Sequence, residues 1–465
     1  MCIRDSQITD KPLWQLEGKD FFTKELDEAL LSKEIDLVVH SYKDLGSERP
    51  ENIKLGCITE RKYAHDILLI KKEKLKELPN KQLLIVGTSS PRRIFNIHSN
   101  LSRYLPNNQT KVECRTLRGN VNTRIEKLRA NQYDAIVLAY AGLERLANHP
   151  ESKEVLRELL DGLTYMVLPQ KDFPSSASQG ALAIEYNSER ADQLPEILQK
   201  VHHEKTAQEI KREREAFSQY GGGCHLPVGI HVKSVQDFYI HLHQGEDKGK
   251  RFIMHKLEGH KYPELQGKKA YFLFGKYDFL TKKVPIENKM EEPSHLFITS
   301  TVCHHNLKNY TSVWSAGNRT MKKLISNGHW VNGSAEGFGH EEIKKFQDSE
   351  LFKLFSDHNN WKVLSHDKAA SVVGDVVACY THEPKKAVEK KYKDEIMSSD
   401  IVYWSSFNQY LRYTNQYPEL KNKMHACGLG KTYTNFKDEK IEPIPCIDMN
   451  QLENLTRKNS EIENE

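Results

Sequence analysis

Nowhere in the 465 residues is there an apolar run near the roughly 18 residues that a membrane span requires, so a soluble chain with no membrane partner is expected. The opening MCIRDSQITDKPLW has neither a basic n-region nor an apolar h-region, nothing marks it for secretion, and the cytoplasm is the default location. Cysteine is sparse and scattered. Cys2, Cys57, Cys114, Cys224, Cys303, Cys379, Cys427 and Cys446 form no CxxC pair, which argues against a zinc ribbon, a CxxC redox motif or a dense disulfide framework, and most are expected to be buried thiols. Charge of one sign is also missing: 68 basic against 64 acidic residues leave a net +4, too little to indicate nucleic acid. Any anion-binding argument must come from local clusters.

What is present is length enough for three or four units and an alternation of helical and strand-like segments. Leu26, Ala29 and Leu30 recur at helical spacing, and residues 35–39 read as a short buried strand ending at His40-Ser41-Tyr42-Lys43-Asp44. A second strand, 83–86, runs into Gly87-Thr88-Ser89-Ser90-Pro91-Arg92-Arg93, with Ser90 as N-cap and Pro91 at the first helical position. Val121, Ile125 and Leu128 mark a helix, 135–139 a buried strand and 141–146 another helix, so α/β layers with largely parallel pairing are expected. A charged helix over 204–217 precedes Gly221-Gly222-Gly223-Cys224, and a smaller α/β unit follows to about Phe274. Residues 275–293 mix Lys, Glu and Pro without periodicity and read as a linker. Beyond them Thr299-Ser300 and Ser405-Ser406 each close a strand and precede a glycine turn, 317–320 and 428–432, which suggests a pseudo-repeat of α/β halves; the tail after Gln451 is expected to fray.

Four features of the first half point to one polyanionic ligand. Thr88, Ser89 and Ser90 place hydroxyls and N–H groups at a helix N-terminus, where the dipole favours anions. Arg92 and Arg93 add charge in the same turn, and Arg118-Gly119-Asn120 with Thr123-Arg124 supplies planar forks suited to carboxylates. Lys19, Lys43 and Arg145 complete the set. Each alone is an ordinary surface cation, but several fall after strands, where open α/β sheets bind ligands. His202-His203-Glu204 and His304-His305 raise the question of a metal. Adjacent histidines do not share a helical face and no third ligand is evident, so no metal is expected.

Seven stretches carry a resemblance: 22–26 (FTKEL), 36–44 (DLVVHSYKD), 87–93 (GTSSPRR), 117–124 (LRGNVNTR), 134–146 (DAIVLAYAGLERL), 179–185 (QGALAIE) and 222–229 (GGCHLPVG). In this order they resemble the porphobilinogen deaminases (hydroxymethylbilane synthases). The resemblance implies two α/β lobes of the periplasmic-binding-protein kind, formed by 1–60 with 168–200 and by 62–166, plus a small α/β cofactor domain over 202–274. It implies the condensation of four porphobilinogen molecules into hydroxymethylbilane, with a dipyrromethane cofactor covalently attached to Cys224. Asp44 and Lys43 would be catalytic, Asp44 stabilising positive charge on the pyrrole nitrogens. Ser90, Arg92, Arg93, Arg118, Gly119 and Lys19 would hold the cofactor, and Arg124, Arg145, Thr88 and Asn120 the substrate. Such proteins open with a further strand and helix, so the chain reads as truncated at its start. Asp20 and Ser178 stand where glycine is usual, and Pro91 where leucine is common.

The stretch from about 285 to 455 resembles uroporphyrinogen-III synthase, with the domain itself taken as 294–455 and 275–293 as its linker. The residues that carry this are Thr299, Ser300, Ser405, Thr432 and Tyr380-Thr381 after a strand. The implied whole is a deaminase fused to a two-lobed synthase-like domain; the competing reading of the rear half is a Rossmann-like interaction domain without catalysis. For the front half the alternative is a non-enzymatic two-lobed anion-binding protein, against which stand the GGCHLPVG loop and the missing signal peptide.

Overall fold

The structure is a computed structural model that describes residues 23–46, 48–190, 194–221, 226–288, 290, 292–356, 358–386 and 390–457. In the front half, strands β1 (Leu37–Ser41), β2 (Ile53–Ile58), β3 (Asp66–Lys71), β4 (Leu83–Gly87), β5 (Lys111–Arg115), β6 (Ala135–Ala139), β7 (Leu163–Val167) and β8 (Leu182–Asn187) form two sheets. The first has the order β1-β8-β2 and the second β5-β4-β6-β3-β7. The chain crosses between these two α/β lobes twice, over 59–65 and 168–181, which is the architecture of periplasmic binding proteins.

The pairing is mixed rather than largely parallel. β4 runs parallel to β5 and β6, but β3 is antiparallel to β6 and β7, and β8 is antiparallel to β1 and β2. The strands that enter or return across the lobe boundary set these directions, and no residue within them encodes that. The first expected strand also differs. β1 starts at Leu37, and of its apolar residues only Val38 is buried while Val39 is 50% exposed. The preceding helix, Lys24–Leu31, buries Leu30 and Asp27 but leaves Leu26 exposed. It is tied down by Arg49, which bonds Asp27 at 2.5 Å and Glu185 at 2.7 Å.

An antiparallel meander of β9 (Val228–Val235), β10 (Phe238–Asp247) and β11 (Lys250–Glu258) follows, crossed by the helix Glu204–Gln219. Glu213 on that helix is fully buried and bonds Arg61 at 2.7 Å together with the N–H groups of Ser178 and Val232. One carboxylate thereby joins the meander to both crossings.

The rear half begins earlier than its sequence suggests. β12 (Ala270–Phe272) is no part of the meander: it pairs parallel to β19 (Ile401–Trp404), and Leu265 packs with Ile444 and Cys446. The expected linker holds β13 (Thr281–Pro285), an edge strand antiparallel to β18 (Asp375–Pro384). Its composition, TKKVP, is that of an edge, where lysine and proline discourage further pairing, and that hid it from a hydrophobic pattern. With β14 (Ser294–Ile298), β15 (Tyr310–Ser315), β16 (Gly333–Ser334) and β17 (Trp361–His366) it builds a sheet ordered β13-β18-β17-β14-β15-β16. The second rear sheet, β12-β19-β20-β21, adds β20 (Met424–Gly428) and β21 (Ile444–Cys446), all parallel. The tail does not fray at Gln451: the helix Met449–Thr456 is capped by Asp448, whose carboxylate accepts from the Gln451 N–H at 2.9 Å.

Two cysteines depart from the expected free thiols. The turn Thr301–Asn306 brings Cys303 over β18, where it is joined to Cys379 in a disulfide with a Cα–Cα distance of 5.3 Å. Cys57, Cys427 and Cys446 are buried and reduced, and Cys114 half-buried.

The halves meet along a seam. The Val167 N–H on β7 bonds the Asn332 carbonyl at 2.7 Å, and Trp330 and Asn332 both donate to the Tyr165 carbonyl at 2.9 Å. Glu144, 4% exposed, takes the hydroxyl of Ser349 and the N–H groups of Glu350 and Leu351, capping a rear helix from the front. Tyr165, Trp314, Phe346 and Phe352 fill the space between with ring contacts.

Candidate active site

Two short turns face each other across the front lobes. The first, Tyr42–Asp44, ends β1 and presents Lys43 half-buried and Asp44 exposed. The second follows β4 and leads into the helix Pro91–Asn100, where the Ser90 hydroxyl accepts from the Arg93 N–H, and Pro91 occupies the first turn as its sequence indicates.

Each hydroxyl of this turn bonds nearby backbone. Thr88 is 2% exposed and accepts from the Ser90 N–H at 3.3 Å; Ser89 exchanges two bonds with the backbone of Leu117, at 2.8 and 3.0 Å. Buried polar groups in a close turn need such partners. Asn120, expected at the substrate, caps the helix Val121–Arg129 by accepting from the Thr123 N–H at 2.9 Å. Gly119 has φ +112, and a β-carbon there would meet the Thr123 side chain at 2.9 Å, so its glycine serves the turn. Arg124 folds back onto the Gly119 carbonyl at 2.6 Å.

Arg92 and Arg93 also differ from exposed ligands. Both are buried and both hold Asp66 at the start of β3: Arg92 Nη1 at 2.8 Å, Arg93 Nη2 at 2.8 Å and Nε at 3.1 Å. Arg92 reaches the Pro174 carbonyl as well, at 2.9 Å. Burial alone would raise the Asp66 pKa, but the two guanidinium charges outweigh it and hold the carboxyl well below its usual range. Burial lowers the pKa of Arg92 and of Lys43; Lys43 feels Asp44 and Asp66 in opposition to Arg93 and Arg92, so these five groups share one field. Arg145 joins them, bonded to the Ser41 hydroxyl at 3.2 Å and within the field of Asp44.

Arg118 stands apart: its Nε and Nη2 are buried and have no hydrogen-bond partner among the described residues. Unpaired guanidinium N–H groups in a cation-rich cleft suit a carboxylate-bearing ligand such as a dipyrromethane. Lys19 and Cys224 lie outside the described residues. His202 and His203 serve locally, accepting from the N–H groups of Ile58 and Thr206.

In the rear half Tyr380 is buried against Thr299, Ser300 and Ser365; burial raises its pKa and those hydroxyls oppose the rise. Lys283 stands 4.7 Å from the Tyr380 ring centre and donates to the Ser300 hydroxyl at 2.9 Å. His366 and His382 flank the same tyrosine at ring distances of 6.0 and 5.4 Å. Arg412, 3.8 Å from Asp278, adds its charge to Lys283 and both histidines, whose pKa values burial and these cations push down. Ser405 donates its N–H and hydroxyl to Gln409, which donates to Asp278, so it touches this group only through two partners. Thr432 lies half-buried in the first turn of the helix Lys431–Asp438. The two glycine turns do converge, on Gly337: a β-carbon on Gly430 would fall 2.8 Å from its carbonyl oxygen, and one on Gly317 3.9 Å from its nitrogen.

Sequence reasoning missed Asp66, Lys283, Asp278 and Arg412. For Asp66 a signal existed: an acid opening the wholly apolar run ILLI must be paired if it is buried, and a double arginine is the natural partner. For the others none did, since lysine on an edge strand and arginine on a helix read as solvated.

Residues 4–194 match the family model described as "Porphobilinogen deaminase, dipyromethane cofactor binding domain". The porphobilinogen deaminase of Nitratidesulfovibrio vulgaris (strain DP4) is 39% identical over 255 residues, 54% of this chain and 74% of the relative. That of a Nitratiruptor species is 35% identical over 268 residues, 56% of this chain and 78% of the relative. The crystal structure of uroporphyrinogen-III synthetase from Helicobacter pylori 26695 overlaps 38% of this chain and 89% of its own, at 11% identity and a TM-score of 0.27, a likeness that carries no argument.

Proposed function

This chain belongs to the porphobilinogen deaminase family, and from that premise we propose how its residues divide the work of a hydroxymethylbilane synthase. The enzyme is a transferase of tetrapyrrole (heme) biosynthesis, acting in the cytoplasm, which joins four porphobilinogen molecules head to tail with release of ammonia. Its dipyrromethane cofactor supplies the covalent anchor and the pyrrole end from which the product grows.

Cys224 carries the anchor: it stands in GGCHLPVG, the stretch that resembles the cofactor-bearing segment of the family. Arg118, with two N–H groups in want of acceptors, takes a carboxylate of the anchored pyrroles, and Lys43 and Arg145 take others. Asp44 is the exposed carboxylate at the centre of this basic field, and it stabilises the cation formed as ammonia departs. Arg92 and Arg93 contribute through Asp66: a ligand carboxylate competes with it for the outer N–H groups, while the buried pairing keeps both guanidinium planes in place. The division of the front half into 1–60 with 168–200, 62–166 and a cofactor unit beginning at 202 fits these roles. The observation that carries the reading is the convergence of Lys43, Asp44, Arg92, Arg93 and Asp66 in one field at the carboxyl ends of β1 and β4.

The rear cleft we read as a uroporphyrinogen-III synthase site, on the strength of Tyr380 set among Thr299, Ser300, Lys283, His366 and Arg412. Supplying the full chain with porphobilinogen tests both parts. Consumption with ammonia release, and an adduct mass on the peptide containing Cys224, are expected; no consumption would sink the front assignment. Uroporphyrinogen of type III in the product is expected from the rear cleft, and type I alone would leave it an interaction domain.

A further inference from the structure

The two crossings between the front lobes are gripped by one side chain of the rear half. Glu336 follows β16 in a left-handed backbone conformation, φ +52, that residues with a β-carbon rarely adopt. The turn is held in place on three sides. The Glu336 N–H bonds the Ser334 hydroxyl at 2.9 Å, the Gly337 N–H bonds the Ala316 carbonyl at 2.8 Å, and the Gly337 carbonyl lies against Gly430.

From there the carboxylate, 7% exposed, reaches into the front half. Oε1 accepts from the Gln170 N–H at 2.9 Å and lies 3.5 Å from His65 Nε2; Oε2 accepts from the Lys171 N–H at 3.1 Å. From the rear half Asn318 adds a long bond to Oε2, at 3.4 Å. His65 belongs to the first crossing, Gln170 and Lys171 to the second. Neighbouring contacts act on the same segments: the Tyr63 hydroxyl donates to the Lys345 carbonyl at 2.5 Å, and Lys322 meets Asp172 at 2.5 Å. His65 is the chain neighbour of Asp66, which holds Arg92 and Arg93, and Gln179 of the second crossing bonds the Ala64 carbonyl and Asp66. Any shift of the crossings against each other therefore moves the carboxylate that aims the two arginines.

We propose that Glu336 is a positioning residue for the front cleft, a carboxylate of the rear half that fixes the setting of the hinge between the two deaminase lobes. Its strained turn holds this one acceptor in place, and the shorter bonds to both oxygens come from the front half. The claim rests on the front cleft being the site of porphobilinogen condensation.

The test compares full-length wild type with Glu336→Ala and Glu336→Gln by amide hydrogen exchange and by the kinetics of porphobilinogen consumption. In Glu336→Ala the amides of 59–65 and 168–175 are expected to exchange at least about tenfold faster while β3, β14 and β17 keep their protection, as for a local opening. kcat should fall about tenfold with KM within about twofold, the signature of lost positioning rather than lost binding. Glu336→Gln, which keeps one acceptor oxygen, should fall between. Faster exchange confined to 334–338, or spread evenly over the rear sheet, overturns the proposal, and so does a loosened hinge with wild-type kcat. A wild type that consumes no porphobilinogen would refute the deaminase reading instead, and the exchange pattern would still decide whether Glu336 holds the hinge.

Discussion

In the front cleft Arg92 and Arg93 are buried and share Asp66 at 2.8–3.1 Å; in the rear cleft Arg412 is 34% exposed and stands 3.8 Å from Asp278, with its Nε unpartnered among the described residues. The front cleft thus separates two uses of arginine. Arg92 and Arg93 are structural first, because two guanidinium groups removed from water are tolerable only with a carboxylate between them. Arg118 has no such partner among the described residues, which is why we propose it for the ligand. The rear group does not make this separation: its one arginine, partly exposed, lies 3.8 Å from Asp278 and lends its charge to Lys283, His366 and His382.

The largest effect should come from breaking the front pairing. Asp66→Ala leaves two buried cations unpaired and is expected to cost about 3–5 kcal/mol in urea unfolding, whereas Arg412→Ala in the rear should cost less than about 1 kcal/mol. Equal losses would erase the contrast. The pH dependence has a definite sign. The folded Asp66 carboxyl is depressed, so its contribution is present above the unfolded value near 3.9 and is lost as pH falls from about 4 through the folded value. The Asp66→Ala variant should lack that part of the acid transition.

Next in size is Asp44→Asn. In its proposed role Asp44 is an exposed carboxylate rather than one buried in a pair, so turnover should fall about a hundredfold, roughly 2.7 kcal/mol, without loss of stability. Steady-state rates beside a thermal melt check both halves of that statement. Arg118→Ala should raise KM about tenfold and leave unfolding unchanged, because its buried Nε and Nη2 satisfy no acceptor among the described residues. A stability loss there would mean that Arg118 is structural like its neighbours. The smallest change is foreseen in the rear: Tyr380→Phe should cut the yield of type III isomer about fivefold, near 1 kcal/mol, while porphobilinogen consumption holds at the wild-type rate. Isomer analysis of the oxidised product reads it directly.

Much of this contrast could be read before any fold was known, and the part that could not has a physical reason. The Ser90 cap, Pro91 and the strands around them obey rules confined to a few neighbouring residues, and the structure follows them. The cluster of cations was legible too, as types of residue after strands. Their partners were not. Asp66 is 26 residues from Arg92, and only the entry of β3 between β6 and β7 brings it underneath. Hydroxyl and amide side chains posed a different difficulty. Thr88, Ser89 and Asn120 are the same residue types whether they cap a turn or meet a ligand, and burial decides between the two. Strand direction was misread because it depends on how the chain crosses between lobes.

Along the seam, β7 and β16 are each the outermost strand of a sheet, and the two lie side by side with the Val167 N–H of β7 bonded to the carbonyl of Asn332, just before β16. A cut near residue 280 would strip β12 from β19 and bare both edges at once, leaving two fragments whose unpaired N–H and C=O groups seek strands on other molecules. Such fragments would clump in the cell rather than work side by side. Each half therefore serves as the cover of the other's edge strand.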